Sequence, residues 1–182
     1  MRRPHSPEAA IYGSLLAGLL TILLKFPIAV AAQSAGGESI ASLAARAEQF
    51  EARGQWDDAA RVYREILKEH PRSVAALNRL GALEIRQGKL GEGIGYYQRA
   101  LKINPNEFGT LLNLGIAYMK VPDYKTAAPW LERAVTIAPE QFQAQLLLGV
   151  SLLGEDQYAR AIPHLERATD LNPRDVSPLY LL

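Results

Sequence analysis

Residues Ala100 to Gly115 read "ALKINPNEFGTLLNLG". Two helix-forming apolar runs meet at a single proline, Pro105. Proline removes a backbone donor and clashes with the preceding turn, so a helix entering this stretch must end there. Prolines recur at Pro71, Pro139 and Pro173, each 34 residues from the next. A fixed period of about 20–50 residues is the signature of a repeat architecture.

Other columns keep the same step. Trp56, Leu90, Tyr124 and Tyr158 align, as do Ala59, Gly93, Ala127 and Ala161, and Tyr63, Tyr97, Leu131 and Leu165. Ala47, Gly81, Gly115 and Gly149 form a column of small residues. Ile66, Ala100, Ala134 and Ala168 form another that is small in all but its first member. Within a unit the apolar spacing is helical: Leu77, Leu80 and Leu83 on one stretch, then Leu90, Ile94, Tyr97 and Leu101 on the next. Gln87-Gly88-Lys89 separates these two stretches. Arg53-Gly54-Gln55, Val121-Pro122-Asp123 and Glu155-Asp156-Gln157 stand at the same place in the other units. Each unit therefore reads as two antiparallel helices, predicted near 40–53/56–69, 74–87/90–103, 108–121/124–137 and 142–155/158–171. The small columns mark where two helices cross closely, with Gly81 expected to face Gly93. Pro105 closes the second helix of one unit and opens the way to the first helix of the next.

The second unit, "VAALNRLGALEIRQGKLGEGIGYYQRALKINPNE", resembles the tetratricopeptide repeat. The resemblance covers Ile40 to Asp175 as units 40–73, 74–107, 108–141 and 142–175, about three quarters of the chain. It implies an all-α, right-handed superhelical solenoid of antiparallel helix pairs. The first unit departs most, with Arg46 for the usual leucine and Ala47 for the glycine. Glu84 replaces an aromatic residue or leucine in the second, a local weakness. Residues 176–182, "VSPLYLL", read as the start of a fifth repeat or a capping helix. Leu165, Leu171, Leu179 and Leu182 are expected to leave an apolar end that favours self-association. A longer protein of which this is a fragment would cover that end.

The N-terminus reads as an address. Arg2 and Arg3 precede the apolar run Ile11 to Leu24, followed by Lys25, Phe26, Pro27 and "IAVAA". A secretory signal has this order: a basic end, an apolar core of about 7–15 residues and a small-residue cleavage site, here Ala29-Val30-Ala31. The alternative is an uncleaved anchor, since residues 11–32 number 22 and a bilayer needs about 20. Either form places the body outside the cytoplasm, secreted, periplasmic or membrane-anchored, because Arg2 and Arg3 favour the inside. Residues 33–39 serve as a linker.

Composition narrows the chemistry. The chain has 182 residues, no cysteine and a net charge of +1. Residues 1–32 hold three basic side chains and one acidic, which leaves 17 basic and 18 acidic for the body. That balance argues against nucleic acid as the partner. "GEGIGYYQ" (Gly91–Gln98) looks like a phosphate loop but has helical spacing, and Gly93 belongs to a packing column. His5, His70 and His164 have no metal-ligand spacing. Asp57-Asp58 and Glu155-Asp156 are read as acids at helix starts. No cofactor, metal or catalytic residue is expected, so the chain reads as a non-enzymatic scaffold. Pro129 and Pro163 share one repeat position inside second helices and are expected to be tolerated there or to bend the helix.

The family resemblance implies that first helices line a concave groove where a peptide or helix binds. The positions it marks are Ala44, Glu48 and Glu51, then Asn78, Ala82, Ile85 and Arg86. Leu112, Asn113, Ile116, Met119 and Lys120 follow in the third unit, and Gln143, Leu146, Val150 and Leu153 in the fourth. The carboxylate clamp of some family members would need basic residues at the positions of Ala44, Gly109 and Asn113 and is missing. The asparagine ladder of sugar-transferring members is missing too, since only Asn113 fits it. The partner is expected to be a protein or peptide, with membrane contact only through residues 11–32. Docking of a longer enzyme or assembly factor is the alternative role.

Overall fold

The computed structural model of the chain describes residues 38–181, so residues 1–37, with the expected signal or anchor, and Leu182 lie outside the described residues. Eight α-helices are found there: α1 (Ile40–Ala52), α2 (Trp56–Glu69), α3 (Val74–Arg86), α4 (Leu90–Ile103), α5 (Phe108–Met119), α6 (Tyr124–Ile137), α7 (Phe142–Leu153) and α8 (Tyr158–Leu171). They pair as α1/α2, α3/α4, α5/α6 and α7/α8, and each pair packs on the next. Second helices run as the spacing predicts, while first helices stop one or two residues early. The hairpin turns explain the early stop. Gly54 and Gly88 take φ of +71° and +81°, and Asp156, at the same repeat position, takes 59°. A left-handed residue there ends the helix and reverses the chain.

The small columns are contact points. A Cβ on Gly81 would lie 2.7 Å from the Tyr97 ring and 3.1 Å from the Gly93 carbonyl oxygen, so the two glycines do face each other. On Gly115 it would meet Leu131 Cδ2 at 2.5 Å, and on Gly149 Leu165 Cδ2 at 2.6 Å. The second, third and fourth hairpins are thus each closed by a large side chain of the second helix set against a glycine of the first, and the first hairpin has the buried Ala47 at that position. Leu165 is fully buried for this reason, contrary to the expectation that it forms part of an exposed end.

Helix ends are held in several ways. Ser73 accepts from the Ala76 N–H, Glu107 from Gly109 and Thr110, and Asp123 from Thr126. Asp57 and Asp58 lie in the first turn of α2, but Glu155 and Asp156 do not cap α8. They lie in the turn, where Glu155 accepts from Gln157 at 3.0 Å and Asp156 from the Tyr158 hydroxyl at 2.7 Å. Helices α6 and α8 run continuously through Pro129 and Pro163. "GEGIGYYQ" is helical, inside α4.

Glu84 is fully buried, at a repeat position that elsewhere holds Phe50, Tyr118 and Leu152. The weakness is offset in part: its carboxylate pairs with Arg64 and, at 3.2 Å, with Lys89. Arg46 in the first unit is paired with Glu65 at 2.7 Å. After α8, Pro178–Tyr180 forms a single 3-10 turn against that helix rather than the beginning of an α-helix. Proline supplies no N–H to continue a ladder. Pro178 is buried at the repeat position of Ala76, Thr110 and Ala144, whereas Leu179 is exposed.

Candidate functional site

Along the stack, α3 touches α5 and α5 touches α7, whereas second helices of neighbouring units approach each other less closely. The first helices therefore form the inner surface, where the arc is shorter. Its two ends differ in charge. Helices α1 and α3 carry Arg46, Glu48, Glu51, Arg79, Glu84 and Arg86. Helices α5, "FGTLLNLGIAYM", and α7, "FQAQLLLGVSLL", carry no charged residue. A helix with one solvated face normally places charge on it. Neither helix does so, yet each keeps apolar side chains partly open.

The polar end is tied together. Tyr63 donates its hydroxyl to Glu51 at 2.7 Å, and Arg79 lies 3.6 Å from the same carboxylate. Burial and Glu51 both raise the Tyr63 phenol well above its ordinary value, so it stays a donor. Glu48 is exposed beside Tyr63 and Arg79. Asn78 and Asn113 are half-buried and meet across the unit boundary, Asn113 Nδ2 donating to Asn78 Oδ1 at 3.1 Å. The repeat frame hid this pair, because the two residues are 35 apart instead of 34. A cleft of about 360 Å³ beside them is lined by Val74, Ala75, Asn78, Arg79 and Glu107.

Arg86 is exposed but engaged: its guanidinium lies 3.9 Å over the Trp56 ring, which fixes its direction and covers the ring. Ile85 is half-buried against the core and closes over Gly93. Leu112 requires a correction. It is only 7% exposed and belongs to the central core, because α5 is contacted on both flanks, by α3 and by α7. Ile116, Met119, Leu146, Val150 and Leu153 are all half-buried, with Gln143 and Lys120 exposed at the edges. Inner positions of the third and fourth units thus present a partly open apolar strip, bounded by the asparagine pair. Among the described residues no cluster of His, Asp and Glu could hold a metal ion, and no helix is long and apolar enough to cross a membrane.

Known proteins agree with this architecture. A solved MamA from Desulfovibrio magneticus RS-1, spanning residue 41 to its end, is 26% identical, with 75% of this chain and 77% of that one covered and a TM-score of 0.71. A second MamA crystal structure is 21% identical, covering 74% and 79%, with a TM-score of 0.70. YrrB, described as a TPR protein with an unusual peptide-binding site, is 19% identical, covering 79% and 74%, with a TM-score of 0.71. The last two likenesses speak for the fold alone. No curated protein matches the chain by sequence. Tetratricopeptide repeat models match residues 44–108, 110–143 and 142–175, an almost unbroken run through all four hairpins, and the chain therefore belongs to the tetratricopeptide repeat family of protein-interaction scaffolds.

Proposed function

We propose that the chain is a non-enzymatic scaffold held outside the cytoplasm, and that its groove takes the apolar face of a helix or an extended peptide. One observation carries the groove reading: α5 and α7 have no charged residue, while Ile116, Met119, Leu146, Val150 and Leu153 stay partly open. Apolar side chains left partly open along successive first helices mark a contact surface, and an amphipathic helix docks by inserting such a stripe into a groove. The Asn78–Asn113 pair and Arg79 offer polar partners at the other end, where an extended peptide can bond its backbone. The extracytoplasmic setting rests on Arg2, Arg3 and the apolar run that follows them.

The test is photo-crosslinking from benzoylphenylalanine placed at Met119 or Val150 of the full chain in cells, against the same probe at Lys125. The expected result is a discrete protein adduct from the two inner positions only, lost when Ile116→Glu and Leu146→Glu are combined. An identical adduct pattern from Lys125, or none from the inner positions, overturns the groove reading. N-terminal sequencing and fractionation address the location. A mature start near Ala32 or Gln33, or an intact Met1 in a membrane fraction, supports it, and an intact soluble cytoplasmic chain refutes it.

A further inference from the structure

The second helices carry a repeating arrangement that the groove does not use. In three successive units an aromatic ring is followed three residues later by an arginine: Tyr96 and Arg99, Trp130 and Arg133, His164 and Arg167. Such pairs are neighbours on a helix surface. The Arg99 guanidinium lies 5.5 Å from the Tyr96 ring centre, and that of Arg133 lies 5.2 Å from the Trp130 ring centre.

The repeat supplies its own control, because the three arginines are satisfied differently. Arg167 is bound by the carboxylate of Glu140, the residue that follows the turn proline Pro139. Each partner favours the charged form of the other, holding Glu140 below the ordinary carboxylate value and Arg167 above its own. At the position of Glu140 the earlier units have Asn106 and Arg72. Arg133 donates instead to the backbone carbonyl of Pro105, at 2.5 Å. Among the described residues no carboxylate comes within ion-pair distance of Arg99, Lys102 or Arg133.

Arg133 opens onto a crevice of about 350 Å³ between α4 and α6, lined also by Gln98, Leu101, Lys102, Pro105 and Trp130. Its walls are apolar and aromatic at Leu101, Pro105 and Trp130, and its rim is cationic. We propose that this crevice is a second docking site, on the outer face, for an acidic peptide. A ligand carboxylate takes the place at Arg133 and Lys102 that Glu140 takes at Arg167, and an adjoining prolyl or apolar residue lies against Trp130 and Leu101. The Pro139-Glu140 turn is the chain's own version of such a ligand. Arginine held by a ring and a carbonyl is pre-aimed, so little side-chain freedom remains to be lost on binding. Two cations, Arg133 and Lys102, suit a few carboxylates better than a nucleic acid, whose affinity grows with the number of phosphates neutralised.

The probe is a fluorescein-labelled peptide of alternating Glu and Pro, titrated with the full chain by fluorescence anisotropy. A Lys-Pro peptide and an oligothymidylate are titrated in parallel. Saturable binding of the Glu-Pro peptide alone is expected, weakening with added salt. Arg133→Ala should weaken it roughly tenfold or more, as expected for a lost charge-assisted hydrogen bond. Asn106→Glu should do the same by supplying the carboxylate internally, and Arg167→Ala should leave it unchanged. Circular dichroism confirms that each variant is folded. Absence of saturable Glu-Pro binding, tighter binding of oligothymidylate, or Glu-Pro binding indifferent to Asn106→Glu overturns the proposal.

Discussion

Replacing Glu84 with leucine should leave the protein as stable as before, or stabilise it, although it removes a fully buried carboxylate with two cationic partners. Glu84 occupies a core position, and its partners Arg64 and Lys89 have side chains 43% and 46% exposed. Taking a carboxylate out of water is expensive, and the attraction of half-solvated cations returns only part of that. In Glu84→Leu both cations can turn outward into water, so no charge is stranded. The leucine contributes roughly 1.5–3 kcal/mol of burial at a site that holds Leu152 in another unit. The expected change lies between zero and a gain of about 3 kcal/mol, within the range for buried ion pairs replaced by apolar residues. Removing both cations is the opposite experiment. Arg64→Ala with Lys89→Ala strands the carboxylate and should destabilise by about 3–5 kcal/mol. Each single change leaves one partner and should be milder. Urea titration followed by far-ultraviolet circular dichroism gives the order, provided the slopes agree between variants. If Glu84→Leu is strongly destabilising while the double alanine variant is neutral, the buried charge is not a liability and the reasoning fails.

Other outcomes follow from packing, titration and exposed apolar side chains. Gly115→Ala pushes a Cβ to 2.5 Å from Leu131 and should destabilise by about 1–3 kcal/mol, whereas Gly91→Ala, with nothing within 4 Å, should stabilise by about 1 kcal/mol; thermal melts compare the two. Burial, then the charge of Arg160, lowers the His164 imidazole below 6.5, with Glu132 opposing, and Nδ1 lies 2.8 Å from Gln145 Oε1. The unfolded chain then binds the proton more readily, so stability should fall as pH drops below about 6.5, and His164→Gln should flatten that dependence in melts from about pH 8 to 5. At the C-terminal end Ile162 is 43% exposed, while Ala128 at its repeat position is 4% exposed. Tyr158 and Leu179 are open too, so self-association is expected, and Ile162→Lys with Leu179→Lys should lower light scattering with the far-ultraviolet spectrum intact. Unchanged scattering, or loss of helix throughout, would refute it.

The period of 34 residues fixed the hairpins, their order and the close crossings at Gly81, Gly115 and Gly149. These are local facts, since helical spacing, a turn residue and a missing side chain are each written within one unit. The inner surface was legible in part. A repeat position says which way a residue points, but not how closely the neighbouring helices approach it. The repeat frame therefore points Leu112 into the groove, whereas it lies in the core, and Leu165 towards an exposed end, whereas it lies against Gly149. The Asn78–Asn113 bond escaped because its partners sit in different columns. The pairing of Glu84 with Arg64 and Lys89 likewise depends on where three elements meet. Glu140, Asn106 and Arg72 share a column in the sequence, but only the tertiary structure shows that this column faces the arginine of the second helix. Sequence periodicity carries the identity of the units. Burial, ion pairs and free cations belong to the contacts between units, which depend on side chains remote in the chain.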